Sequence, residues 1–323
     1  MAAARSFDEK RARIHALASA SPNEARAELP KYLADKNGYL VGEAADVVKK
    51  LEIVELVPDL AAAFLRLVPD AVKNDKGCFG KNHLVEALLS FDAHEPDVYL
   101  AGLRHFQPEP AFGEPIDTAA GLRGVCAHAL FHIHHPGALM DVAPVLFDAE
   151  PVARAEAAAA LGGSGLDGAA AVLHVKVLAG DKEPDVLGAA YKGLLQLFPE
   201  RYLRLVETAL LKGGELVVEA AALALGESRA QGAFESLRRG WEKHRGSRAA
   251  DGVALGIALL RSDTANEFLV SLVESASEGD AATALSALAL HRHDQALVAR
   301  LSEVVTRRKS RRLAEVFAEK IER

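Results

Sequence analysis

The sequence predicts an all-α fold, a right-handed α–α superhelix of stacked helix pairs, and three observations carry that prediction. A leucine recurs at Leu130, Leu161, Leu194, Leu225, Leu259 and Leu290, with spacings of 31, 33, 31, 34 and 31 residues. Each leucine closes an alanine-rich segment, and each is followed by a second, more amphipathic one. Hydrophobic residues make up 50% of the chain but aromatics only 6%, so alanine and leucine must supply the packing. A two-helix unit of this length cannot bury its own apolar stripe and needs a neighbour on each side.

The regular part spans residues 117–306. First helices start at Asp117-Thr118, Glu150-Pro151, Glu183-Pro184, Gly214-Glu215, Ser247-Arg248 and Glu278-Gly279. Pro151 and Pro184 each follow a glutamate. Proline suits the first helical position, where its missing N–H is not needed, and an acidic neighbour suits the positive end of the helix. Gly162 and Gly226 directly follow repeating leucines, where a glycine ends a helix in the left-handed conformation. Second helices are expected at 138–147, 168–179, 200–212, 231–243, 264–275 and 295–306, with apolar residues at helical spacing such as Phe268, Leu269, Leu272 and Val273.

Residues 307–323 continue as a capping helix, with Leu313, Val316, Phe317 and Ile321 apolar and a polar face to shield the end of the stack. Residues 1–116 are less regular, with helices expected at 6–19, 23–35, 39–51, 53–67, 80–91 and 96–106. Their breaks are marked by Ser21-Pro22, Asn37-Gly38, Val57-Pro58, Val68-Pro69-Asp70 and Asn74-Asp75-Lys76-Gly77. These read as degenerate repeats of one continuous solenoid, about nine or ten helix pairs in all. The loop Gln107–Ile116 holds Pro108, Pro110 and Pro115 around Phe112 and is too proline-rich for a helix. A β-sheet in the middle of the chain would contradict the scheme.

Charge and cysteine usage exclude several functions. The formal net charge is −7, which opposes general affinity for nucleic acid, because that affinity rests on phosphate neutralisation by Lys and Arg. The two cysteines, Cys78 and Cys126, have neither zinc-site nor redox-pair spacing and read as buried thiols in a reducing compartment. The N-terminus turns charged at once, and no stretch of about 20 apolar residues is present to span a membrane. These features point to a cytoplasmic protein with no membrane contact.

The block Glu150–Gly162, with Arg154, Ala157, Ala158, Leu161 and Gly162, resembles the alanine-rich helix of a HEAT repeat, in the short bacterial form also seen in phycobilin-lyase-type proteins. The resemblance covers residues 117–306 and, more faintly, the N-terminal third. It implies a curved superhelix with second helices lining the concave side, used mainly to bind other macromolecules, and it implies no activity. HEAT repeats often carry an arginine seven residues before the repeating leucine. Arg123 and Arg154 match that position, whereas Leu187, Val218, Gly252 and Thr283 depart from it.

Candidate chemistry centres on histidines. His128, His132 and His135 lie at i, i+4 and i+7 on one helix face, a geometry that suits a metal, although no glutamate follows the first histidine to make a zinc-protease signature. Pro136 then ends the helix. His291-Arg292-His293-Asp294 repeats the histidine-rich turn later in the chain. Gly77-Cys78-Phe79-Gly80-Lys81-Asn82 falls short of a phosphate loop in spacing and lacks the final Ser or Thr. It instead places the free N–H groups of a helix start near Lys81, where an anion fits. The basic run Arg307–Arg312 offers a contact for an acidic partner.

Together these features predict a non-catalytic scaffold or adaptor that binds a protein or peptide along its concave face, with no cofactor. Arg104, His105, Phe106 and Phe112 are the expected anchors. A lyase-like or accessory enzyme on the same scaffold is the alternative, and nucleic-acid binding stands third.

Overall fold

The computed structural model describes residues 2–322, with side chains over 6–322. Among the described residues it contains twenty α-helices, four short 3-10 helices and one hairpin of two-residue strands. The chain is therefore all-α, and its helices pair as the sequence requires. It forms two compact units, Met1–Ala160 and Leu161–Arg323, divided within the regular repeats and not where regularity begins at residue 117.

Unit 1 holds α1 (Ala2–Leu17), α2 (Pro22–Leu33), α3 (Gly38–Lys50), α4 (Val57–Leu67), α5 (Ala71–Asn74), α6 (Phe79–Ser90) and α7 (Pro96–Leu103). The hairpin follows, with Pro108–Glu109 (β1) paired antiparallel to Ile116–Asp117 (β2). Next come α8 (Ala120–His132), α9 (Ala138–Val142) with a 3-10 turn over Ala143–Phe147, and the start of α10 (Pro151–Gly163). Helices α1, α3, α6 and α8 pack in succession as one row, and α2, α4 and α7 form the other. The β pair lies inside the proline-rich loop and takes no part in either row.

Unit 2 holds α11 (Asp167–Ala179), α12 (Pro184–Leu197), α13 (Pro199–Lys212), α14 (Glu215–Ser228), α15 (Ala233–His244) and α16 (Ala250–Leu259). It ends with α17 (Asp263–Ser275), α18 (Glu278–Leu288), α19 (Gln295–Arg308) and α20 (Arg311–Lys320). Its first row is α12, α14, α16, α18 and α20 in sequence. Helix starts follow local chemistry. Prolines open α2, α7, α10, α12 and α13, and the side chains of Ser262, Asp294 and Ser310 accept hydrogen bonds from backbone N–H groups of α17, α19 and α20.

Leu130, Leu161, Leu194 and Leu225 are fully buried, as the repeat requires. The last two positions are corrected. Leu290 is 38% exposed and Leu259 half-buried, and their places are taken two residues earlier by Ile257 and Leu288. Glycine contacts explain the shift. A Cβ on Gly226 would stand 2.2 Å from the Gly256 carbonyl oxygen, and one on Gly162 would stand 2.4 Å from Gly193 Cα. These backbones touch, so Gly193-Leu194 and Gly256-Ile257 share one register. Gly162 and Gly226 do not end their helices, as the sequence suggests. They lie within α10 and α14 and allow neighbouring helices to approach.

A second device joins repeats through the other row. Arg66 donates to the carbonyls of Leu33 and Asp35, His244 lies 2.9 Å from that of Leu210, and Arg308 donates to those of Val273 at 3.1 Å and Ala276 at 3.0 Å. In each case a basic side chain late in one helix satisfies carbonyls at the end of the helix one repeat earlier. At the end of the chain, α20 buries Leu313 and Phe317 and exposes Arg311, Glu315 and Glu319.

Candidate functional site

The most elaborate local structure lies in unit 1, where the loop after α7 meets the start of α6. Asp75 and Lys81 are both buried and paired at 2.6 Å. The Asp75 carboxylate also accepts the N–H groups of Gly80 at 2.6 Å and Lys81 at 3.1 Å. The helix start that sequence reasoning opened to an outside anion is thus filled by the chain's own Asp75. Gln107 continues the network: its side-chain N–H donates to the Asp75 carbonyl and to Glu109 Oε1, each at 2.7 Å. Glu109 accepts further from Gly77 N–H at 2.5 Å and from Thr118 Oγ1 at 2.9 Å.

Arg123, fully buried in α8, ties this network to the far side of the loop. Its Nη1 donates to the His105 carbonyl at 2.9 Å and to Asp117 Oδ2 at 2.7 Å, and its Nη2 donates to Asp148 Oδ1 at 2.8 Å. Its Nε stands 2.8 Å from Asp148 Oδ2 but makes no hydrogen bond, so that contact is an ion pair only. Burial pushes the Asp117 carboxyl up, but the N–H groups of Gln107 and Ala119 and the guanidinium of Arg123 outweigh it and hold the group below the ordinary range. Glu109 is likewise held low against its burial by Gln107, Gly77 and Thr118.

Beside this network, and sharing Asp148 with it, lies an apolar groove of about 480 Å³. Its walls come from the end of α7 (Leu103, Arg104), from Phe106, and from α9 and the 3-10 turn (Met140, Pro144, Val145, Phe147). Phe106, Met140 and Phe147 are 59%, 79% and 61% exposed. Phe106 is held in place by its ring, which packs 4.2 Å from the Arg123 guanidinium carbon. The rim carries Arg104, whose Nη2 donates to Asp141 Oδ1 at 2.7 Å.

The structure therefore sorts the expected anchors. Arg104 and Phe106 line the groove. Phe112 is fully exposed in the hairpin loop and is not among the groove's lining residues. His105 is corrected: it is buried, its Nε2 lies 3.1 Å from Gln107 Oε1, and burial lowers its pKa, so it belongs to the buried network and not to the groove. Sequence reasoning missed Met140 and Phe147. The segment 138–147 shows helical apolar spacing, and Pro144 was the available signal that the α-helix gives way to a tighter turn carrying Phe147; no such signal marked Met140, which lies in α9 before it.

The three candidate metal ligands are not brought together. His128 Nε2 lies 3.1 Å from Glu156, His132 Nε2 lies 2.9 Å from Asp92, and His135 Nε2 lies 3.6 Å from Asp141. Helix α8 ends at His132 and His134 takes a φ of 53°, which turns His135 off the helix face. Among the described residues no group of three or more His, Cys, Asp or Glu could hold a metal ion. His291 meets the Ala258 carbonyl at 3.0 Å. Cys78 and Cys126 are buried free thiols, and burial pushes the Cys78 pKa up to about 12 and that of Cys126 higher still. The basic run is dispersed, with Arg308 capping α17 and Arg311 paired to Glu315 at 2.8 Å. No helix among the described residues is long and apolar enough to cross a membrane.

Comparison with known proteins found no matching family model and no matching curated protein. Among solved structures, the chain is similar to human deoxyhypusine hydroxylase in complex with glycerol, at 18% identity over 84% of this chain and 98% of that one, with a TM-score of 0.33. It is also similar to an engineered protein, at 18% identity over 97% of this chain and 95% of that one, with a TM-score of 0.43. Likeness at this level transfers no activity.

Proposed function

We propose that this chain is a non-catalytic docking scaffold, and that the groove of unit 1 receives a segment of a partner protein. One observation carries the reading: Phe106, Met140 and Phe147, each more than half exposed, converge on one groove that borders a buried, hydrogen-bonded network at Asp148. Large apolar side chains gathered at a concavity are the usual mark of a recognition site, whereas scattered ones need no explanation. Aromatic anchors dominate binding energy at such sites, and methionine adapts to varied partner shapes. The packing of Phe106 on the buried Arg123 guanidinium reduces the order that has to be gained there when a partner binds. The reading agrees with the macromolecule-binding role that the HEAT resemblance implies.

The test compares proteins retained by the full chain with those retained by Met140→Asp and by Leu178→Asp. Leu178 is an exposed leucine of α11 in unit 2. A partner retained by the parent and the Leu178 variant, but lost from the Met140 variant, is the expected result. An identical set from all three proteins overturns the groove.

A further inference from the structure

We infer that the partner segment carries an aspartate or glutamate beside two or three apolar side chains, and that Arg104 receives this carboxylate. The inference rests on the docking groove proposed above and adds the chemistry of its occupant. It follows from which charges at the groove are already matched and which still face water.

Asp148 is enclosed: its side chain is 3% exposed, it is bound by Arg123, and it accepts the Glu150 N–H at 2.9 Å. Asp141 takes Arg104 on one oxygen and faces His135 Nε2 on the other, with its side chain 22% exposed. Asp148 is therefore matched and enclosed, whereas Arg104 and Asp141 are paired with each other but differ in exposure. The Arg104 side chain is 66% exposed, and the one hydrogen bond it makes engages Nη2 alone. A guanidinium offers five N–H donors in a planar fork suited to a carboxylate. The more accessible member of this pair is thus the cation, and it stands beside Met140 and Phe106 on the lining of an apolar groove.

An incoming carboxylate would share Arg104 with Asp141. The shared cation stays partly in water, where repulsion between the two anions is screened and a charge pair at the rim sets selectivity and association rate more than total affinity. A basic partner residue would instead meet Arg104 as a like charge at the rim. The groove volume of about 480 Å³ holds a few large apolar side chains, which sets the length of the motif.

The experiment selects peptides from a phage-displayed library of random 12-residue sequences on the full chain, on Arg104→Glu and on Met140→Asp. Circular dichroism confirms that each variant is folded, and Arg104→Gln serves as a milder second variant. The expected outcome is an apolar consensus with an adjacent Asp or Glu on the parent. The Arg104→Glu selection should exchange that acid for Lys or Arg. The parent's best peptide, amidated at its C-terminus, should bind Arg104→Glu roughly tenfold more weakly and Arg104→Gln between the two, and raising NaCl should weaken binding to the parent. An apolar consensus without acid, indifferent to Arg104 but lost in Met140→Asp, overturns the charge assignment and leaves the groove standing. No consensus, or one that survives Met140→Asp, overturns the groove itself.

Discussion

The two units share the same helix pairs and the same close glycine contacts, Gly38 with Gly80 in unit 1 as Gly226 with Gly256 in unit 2, but unit 1 adds a larger buried ionic network. In unit 2 the first-row helices meet through glycine and alanine, backbone against backbone at Gly226 and Gly256, around leucine, isoleucine and valine. In unit 1 the corresponding region around α6 and α8 is pinned by buried charges, Asp75 with Lys81 and Arg123 with Asp117 and Asp148. The hydrophobic solution tolerates repetition, since each interface resembles the next. Unit 2 has a buried pair too, Lys176 with Asp181, but the branched network of Asp75, Lys81, Arg123, Asp117 and Asp148 is specific to one place, which carries the inserted hairpin and borders the groove. A repeat stack that must display a fixed loop needs directional bonds there, because apolar contact alone does not fix a proline-rich segment.

The sharpest break of this contrast is Lys81→Met. It leaves the Asp75 carboxylate buried without its cation, and removing one partner of a buried pair costs about 3–5 kcal/mol. Hydrogen exchange should show residues 71–118 opening, while the fluorescence of Trp241, buried in unit 2, reports that unit separately. Equal loss in both units, or none, contradicts the division of labour. A smaller effect is expected in unit 2 from Gly226→Ala, whose methyl group would collide with the Gly256 backbone. Overpacking of this kind costs about 1–3 kcal/mol. The matching change Gly121→Ala in α8, where nothing lies within 4 Å of the added carbon, should leave the denaturation midpoint nearly unmoved.

Acid gives the gentlest discrimination. Glu109, Asp117 and Asp35 are held below their ordinary range; each is pushed up by burial and drawn down further by hydrogen bonds, in Asp35 those of Lys10 and Asn37 N–H. A carboxyl held low when folded takes up protons more readily when unfolded. Its contribution is complete above the unfolded range near pH 4 and is lost as pH falls through the folded value. Buried His105, also held low, adds a loss of the same sign that begins below about pH 6.5. Exchange protection in unit 1 should therefore fall before the Trp241 signal changes. The reverse order would show that the ionic network does not hold unit 1 together.

Much of the fold was legible because it is written locally. Prolines at helix starts, serine and aspartate caps and apolar periodicity placed nearly every helix within a few residues of its observed ends. The register of α16 was not, because leucine at 259 imitates the repeat while the glycine contact between α14 and α16 sets it; just past α18 Leu290 imitates it likewise, and Leu288 is the buried residue. In the groove, Arg104 and Phe106 were readable as exposed residues beside a proline-rich loop. His105 was not, since its burial depends on Gln107 folding back over it. Nor was the Asp75–Lys81 pair, whose two members look like surface residues until the loop from residue 107 closes over them.

The basic side chains that reach back one repeat give the array a direction. The last turns of α2, α13 and α17, at Leu33, Leu210 and Val273, are finished by a residue about one repeat later, Arg66, His244 or Arg308. During synthesis these three hairpins therefore leave the ribosome incomplete and are closed by their successors. Shortening the chain from its C-terminal side bares carbonyls, whereas shortening it from the other side removes only the acceptor. The ladder thus sets an order of completion along the chain.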